Sequence, residues 1–284
     1  MIQINNLSKA YNSGKVLSDI SIKLENSRIY GLIGANGSGK STLIKCISGI
    51  YSPDQGEVKM GEEQIYNSVK CKEKIGVILD IMHFLPMYSV KSYAKYYASF
   101  YKDFSFDKFN EYLNKFGISP KAYAESLSLG NKKKLQIALV LSRNIEFLLM
   151  DEPENGLDNE SREMFRNIVR ECADHGIGIL LSSHDLLNIE NMCDDLIFVD
   201  DGVLKYYGGI DERLSTIQKW RVRGPREKLS DYTVTEELGN VFTILTEGNY
   251  AENKKELETK DIEIIDSDKV TVVDAYTLMR KGMK

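Results

Sequence analysis

At 284 residues, 42% hydrophobic and 28% charged, the chain is long enough to bury one large core and a small satellite domain. Its formal charge of −5 excludes a broad basic surface of the kind nucleic-acid phosphates require, so no nucleic-acid partner is expected and only a local basic patch stays open. Cys46, Cys71, Cys172 and Cys193 are scattered, with no C-x-x-C pair and no His at ligand spacing, which argues against zinc or a disulfide framework and for reduced thiols.

In chain order, the first residues, Met-Ile-Gln-Ile-Asn-Asn, lack a basic segment followed by an apolar one. No signal peptide is expected there, which places the protein in the cytosol. Ile2, Ile4, Val16, Ile20, Ile22 and Leu24 recur at even spacing among polar residues, as half-buried antiparallel strands do, and Glu57 to Ile65 fits the same sheet. Short apolar runs follow at Ile29 to Ile33, Ile75 to Leu79, Phe147 to Met150, Ile177 to Leu181 and Leu196 to Val199, suiting strands buried on both faces. All fall far short of the ~20 residues needed to cross a bilayer, so membrane work needs a partner. Helical stretches at Ser41 to Ser48, Lys132 to Ser142 and Ser161 to Ala173 lie between them. The alternation predicts an α/β fold with a mainly parallel, helix-covered sheet. Residues 88 to 144 read as wholly helical, an inserted subdomain.

After about Arg213 the apolar periodicity weakens and charge density rises. Short strands around Val241 to Leu245 and Ile262 to Ile265, then a final helix Val272 to Lys281, predict a small α+β appendix over residues 214 to 284, with Trp220 anchoring its first strand.

Gly34-Ala-Asn36-Gly37-Ser38-Gly39-Lys40-Ser41-Thr42 matches G-x-x-x-x-G-K-[ST] between an apolar strand and a helical stretch, the context that motif requires. Glycines let backbone amides converge on phosphates, and the following helix points its positive end at them. Lys40 would reach the β- and γ-phosphates and Ser41 would offer a hydroxyl to Mg²⁺. A Gly-rich turn without function leaves the Gly-Lys-Ser order unexplained. Phe147-Leu-Leu-Met-Asp151-Glu152-Pro153 then delivers two carboxylates at the carboxyl edge of a strand. Asp151 would hold Mg²⁺ through water, and Glu152 would orient and deprotonate an attacking water.

Leu127-Ser128-Leu129-Gly130-Asn131, preceding that strand, resembles the signature sequence of the ABC ATPase family. The resemblance covers residues 1 to about 213 and implies that family's P-loop fold, with an N-terminal antiparallel β subdomain and a helical insertion. It also implies ATP hydrolysis for transport, at the cytoplasmic face of a bacterial membrane. Two chains would sandwich two nucleotides, with Ser128 and the backbone at Gly130 capping the γ-phosphate held by the other subunit. Leu129 stands where the commonest form has glycine, and Asn131 where it has glutamine. Lys132, Lys133 and Lys134 are oddly placed for a first helical turn, where the macrodipole disfavours cations, and solvated surface charge is the expectation. Ser182-Ser183-His184-Asp185 resembles the switch histidine, Asn155-Gly156-Leu157-Asp158 the D-loop, and Tyr11 the aromatic residue that stacks on adenine. His83 and His175 match nothing.

One element departs from the family pattern, because Asp80 stands where most members carry glutamine. Such an acid resembles a bacterial branch of antibiotic, bacteriocin and peptide exporters with ABC-2-type permeases, and the ending around Val273-Asp-Ala-Tyr-Thr-Leu resembles that branch more weakly. Asp80 could still reach Mg²⁺. Met82 to Tyr101 is dense in aromatic residues, which suits both core packing and docking of a membrane subunit's coupling helix. The expected function is thus the ATPase subunit, as a homodimer, of an exporter of amphipathic or antimicrobial peptides. A soluble ABC ATPase acting on ribosomes or DNA is the rival, but tandem cassettes, a long coiled coil or basic extensions are not visible. A P-loop kinase or GTPase would lack the signature and the switch histidine.

Overall fold

The computed structural model describes residues 1–11, 14–80 and 83–281. It divides into two compact units, one of Met1–His184 with Asp195–Tyr207 and one of Asp185–Asp194 with Gly208–Lys284. Among the described residues no helix is long and apolar enough to cross a membrane.

In the first unit, β1 (Ile2–Tyr11) and β2 (Gly14–Leu24) pair antiparallel, with Ile2 opposite Leu24 and Ile4 opposite Ile22. Their alternating apolar residues therefore fall on one face, and Ile2, Ile4, Leu7, Leu17 and Ile20 are all buried in the core. β3 (Ile29–Ile33) leads into α1 (Lys40–Ile47), followed by β4 (Gln55–Met60), β5 (Glu63–Gln64), α2 (Val69–Glu73) and β6 (Ile75–Ile78). Then come α3 (Val90–Ala98), α4 (Phe106–Phe116), α5 (Leu129–Leu141), β7 (Phe147–Met150), α6 (Asn159–Asp174) and β8 (Gly178–Ser182). After α7 (Leu186–Met192), a helix that belongs to the second unit, β9 (Asp195–Asp200) and β10 (Val203–Gly209) complete a 10-stranded sheet in the order β5-β4-β1-β2-β10-β9-β3-β8-β7-β6. β9, β3, β8, β7 and β6 run parallel; β3, β7 and β8 are fully buried, β3 and β7 coinciding with apolar runs of the sequence and β8 shifted by one residue from the expected run so that it ends in Ser182. β10, a strand without a clear apolar pattern in the sequence, joins the antiparallel and parallel halves through Val203 beside Ser18.

The region from 88 to 144 is not wholly helical. Helices α3, α4 and α5 are separated by irregular chain and one 3₁₀ turn, Ala124–Ser126, and Ser89 bridges to Tyr123. Ser89 and Ser105 cap α3 and α4 by accepting from the amides of Ser92 and Lys108, and Gly117 ends α4 at φ 66.

The second unit holds α8 (Ile210–Ser215), β11 (Ile217–Arg223), β12 (Thr233–Leu238), β13 (Val241–Glu247), α9 (Tyr250–Thr259), β14 (Glu263–Asp268) and α10 (Val272–Lys281). Its four-stranded antiparallel sheet runs β12-β13-β11-β14 around a core of Trp220, Val222, Phe242, Ile244 and Leu257. Trp220 lies on β11, fully buried, stacked on Tyr250 and donating from Nε1 to Thr246 Oγ1 at 2.9 Å.

Candidate functional site

The sheet order sets β3, β8, β7 and β6 side by side and parallel, so the segments leaving their carboxyl ends meet along one edge. Those segments carry the loop from Gly34 to Lys40, Ser182 with His184, Asp151 with Glu152, and Asp80. Sequence positions from 34 to 184 are gathered by topology alone.

The loop is held open for an anion by its glycines. Gly37 and Gly39 have φ values of 82° and 102°, and a Cβ on Gly39 would lie 2.9 Å from Val16 O. Lys40 Nζ folds back onto the carbonyls of Gly34 (2.8 Å) and Ala35 (3.1 Å). Burial pushes its ammonium pKa down, against the attraction of Glu152 and Asp151. Ser38 Oγ is buried and has no hydrogen-bond partner among the described residues. An orphaned hydroxyl and a lysine parked on carbonyls both fit an incoming phosphate, since either gains a better partner when one arrives. Ser41 and Thr42 open α1, Ser41 exposed and Thr42 half-buried, while Asn36 and Gly37 lie exposed at the loop's outer side.

Asp151 is buried and accepts a hydrogen bond from Ser182 Oγ at 2.7 Å. The same Ser182 oxygen accepts from the Glu152 amide at 3.0 Å. Glu152 has φ 46, a left-handed conformation uncommon for a residue with a side chain, and its Oε2 lies 2.8 Å from His184 Nδ1. With Nδ1 protonated, the imidazole donates to the carboxylate and steers it. Asp80, half-buried just past β6, accepts from Asn155 Nδ2 at 3.2 Å. No group of three or more His, Cys, Asp or Glu side chains among the described residues could hold a metal unaided. One or two carboxylates and a hydroxyl suit Mg²⁺ that also takes oxygens from a bound nucleotide.

Ser128, Gly130 and Asp158 form a second group around a cavity of about 310 Å³ that no phosphate-loop residue lines. Ser128 caps α5 by accepting from the Asn131 amide at 3.3 Å, and Asp158 caps α6 by accepting from the Ser161 amide at 2.8 Å; the Ser161 hydroxyl first and that amide second hold its carboxyl below the usual range. Gly130 sits so close to the Gly156 carbonyl that a Cβ would be 2.7 Å from it. Tyr11 ends β1, 42% exposed, with its ring edge-on to Tyr51 at 6.1 Å.

Surface charge does not describe Lys133. It is 2% exposed and donates to the carbonyls of Leu79 (2.9 Å) and Asp80 (3.1 Å). Its flanking lysines are half-buried. The sequence signal was the misplaced cation itself, since a lysine in a first helical turn needs acceptors from elsewhere. Ser182 had no such signal, because its role depends on strand neighbours remote in sequence.

Residues 17–155 match the family described as ABC transporter. The chain is 32% identical over 214 residues, 75% of its length and 73% of the relative's, to the ABC transporter ATP-binding protein YtrB of Bacillus subtilis (strain 168). From the same organism, the linearmycin resistance ATP-binding protein LnrL is 30% identical over 71% of this chain and 67% of its own. The arginine transport ATP-binding protein ArtM is 27% identical over 81% and 100%. Among solved structures, an ATP-binding subunit of an ABC transporter superposes with TM-score 0.70 at 24% identity, over 76% of this chain and 92% of that one. The cassette MJ0796, dimeric in a post-hydrolysis state with ADP and Pi, gives 0.66 at 20% identity, over 74% and 99%.

Proposed function

Because this chain belongs to the ABC transporter ATP-binding family and hydrolyses ATP, we propose that it powers export of an amphipathic or antimicrobial peptide through an ABC-2-type permease. In this reading it works at the cytoplasmic face of a bacterial membrane as one of two identical copies. The observation that carries coupling to a membrane partner is a partly exposed aromatic face on α3 and the segments flanking it. Buried Phe84 and Tyr93 back the rings of Tyr88, Tyr96 and Phe100 through a chain of contacts between 4.9 and 6.4 Å, and Met87 and Phe100 stay 87% and 58% exposed. So much exposed apolar side chain in one stretch suits an interface. Tyr97 and Tyr101 of the same stretch line a cavity of about 430 Å³ that would take a docking helix; Met82, where this stretch begins in the sequence, lies outside the described residues. Export is favoured by Asp80 in place of glutamine and by the similarity to a resistance protein.

In the site, ATP's phosphates would lie against the Gly34–Lys40 loop, drawing Lys40 Nζ off the Gly34 and Ala35 carbonyls. Glu152 accepts a proton from the attacking water as the water oxygen bonds to the γ-phosphorus, and the bond to the ADP oxygen breaks. His184 keeps the Glu152 carboxylate aimed. Mg²⁺, held by Ser41, Asp151 and Asp80, would supply neutralising charge to the phosphates. Ser128 and the Gly130 turn would cap the γ-phosphate in the second copy, Asp158 would sit beside them at the interface, and Tyr11 would stack on adenine.

The test is reconstitution of the chain with the membrane protein that co-purifies with it from native membranes. Turnover stimulated by that partner, reduced by Phe100→Asp, with labelled peptide leaving the ATPase side, is the expected result. Transport toward the ATPase side would overturn the exporter reading.

A further inference from the structure

Lys133 ties together three segments that the motif reading treats separately. Lys133 and Gln136 lie three residues apart on α5 and so share one face. Both grip the residues that follow β6. Lys133 Nζ donates to the carbonyls of Leu79 and Asp80, and the Gln136 amide, in the orientation that satisfies its O and N together, pairs with both backbone groups of Leu79, donating to its carbonyl at 3.3 Å and accepting from its N–H at 3.0 Å. Asp80 in turn holds Asn155 through its carboxylate. One residue beyond Asn155, the Gly156 carbonyl abuts Gly130, back at the start of α5.

The contacts close a ring: Gly130, Gly156, Asn155, Asp80, Lys133 and again α5. A buried ammonium is costly unless acceptors and opposite charges surround it. Here the two carbonyls accept from it, and Asp80, Asp151 and Glu152 all attract it. The three acids of this chain's own hydrolytic site therefore share a cation with the helix whose first turn would face the other copy's nucleotide.

We propose that Lys133 is a positioning residue that locks the Ser128–Gly130 turn to the Leu79–Asp80 segment, so that the state of this chain's own nucleotide site sets the face it offers to a second copy. The inference rests on the sandwich reading of the dimer. Lys133 touches no reacting atom and acts through Asp80 and α5.

The experiment uses the full chain carrying Glu152→Gln, with Mg·ATP, and reads nucleotide affinity by titration and dimer fraction by light scattering. Turnover is read in the chain with Glu152 intact. Failure of Glu152→Gln alone to dimerise on Mg·ATP would overturn the sandwich reading itself. Where it dimerises, adding Lys133→Met should weaken dimerisation about tenfold and lower kcat about tenfold, with ATP affinity of the monomer within about threefold. Lys133→Arg, which keeps a cation with donors, should recover most of both. Asn155→Ala cuts the same ring at a half-buried position. It serves if Lys133→Met does not fold, and otherwise should add little to that change. Unchanged dimerisation and kcat in folded Lys133→Met, or in Asn155→Ala where Lys133→Met fails to fold, would overturn the proposal. So would a loss that Lys133→Arg fails to repair.

Discussion

Ser182→Ala removes one oxygen from the candidate site without adding volume, and the geometry sets the size of its effect. That oxygen donates to Asp151 at 2.7 Å and accepts from the Glu152 amide at 3.0 Å, in a residue with no exposed surface. A hydrogen bond to a charged group contributes ~1.5–3 kcal/mol, and leaving a buried amide unsatisfied costs ~1–3 kcal/mol. The two effects overlap, because one rearrangement of the Asp151–Glu152 turn relieves both. A net loss of about 1.4–2.8 kcal/mol in the transition state corresponds to a roughly 10- to 100-fold fall in kcat. Affinity for ATP should change little, since among the described residues the Ser182 hydroxyl bonds to Asp151 and the Glu152 amide and not to the Gly34–Lys40 loop. The assay is steady-state phosphate release beside equilibrium binding of a fluorescent ATP analogue, with thermal melting as the check on folding. A folded Ser182→Ala protein with kcat within about twofold of the parent would refute the claim that this hydroxyl sets both acids.

Two further outcomes follow from packing. Gly130→Ala places a Cβ 2.7 Å from the Gly156 carbonyl, and backbone cannot yield as a side chain can. It should displace the α5 first turn at a cost of ~1–3 kcal/mol, lowering kcat roughly 5- to 150-fold while monomer affinity for ATP persists; unchanged kinetics would show that the two loops tolerate separation. Trp220→Ala empties the centre of the second unit's core and orphans Thr246 Oγ1 from its indole donor. That unit should lose ~3–5 kcal/mol, seen as an earlier melting transition, with ATP binding retained; loss of affinity in protein whose first unit stays folded would contradict it.

Much of the parallel sheet was legible because strands buried on both faces are dominated by apolar residues, as Phe147–Met150 and residues 179–181 are. The phosphate loop was legible because glycine spacing and a following lysine state their chemistry locally. β10 was not, since its residues alternate between half-buried and exposed with little apolar contrast. In the second unit, α9 buries only Leu257, too little to print a helical period. Ser182 and Lys133 depend on partners 31 and 54 residues away, respectively, so only folding reveals them. The left-handed backbone at Glu152 is likewise a product of its surroundings, not of glutamate's own preference.

The central claim is that Glu152 is the base and that ATP joins two copies. Glu152→Gln keeps the volume and the contact to His184 Nδ1, but an amide does not accept the proton from water. The general-base contribution of roughly 10²- to 10⁴-fold should vanish. Binding draws on other groups, so ATP affinity should persist and the closed dimer should accumulate on Mg·ATP. Lys40→Ala, deleting the ammonium now 2.8 Å from Gly34 O, should instead weaken binding and dimer together. Phosphate release, nucleotide affinity and dimer fraction measured side by side on the two variants decide the matter. A tight-binding, dimeric, hydrolytically dead Glu152→Gln beside a weak-binding, monomeric Lys40→Ala is the predicted result. Hydrolysis by Glu152→Gln at near the parent rate would contradict the account.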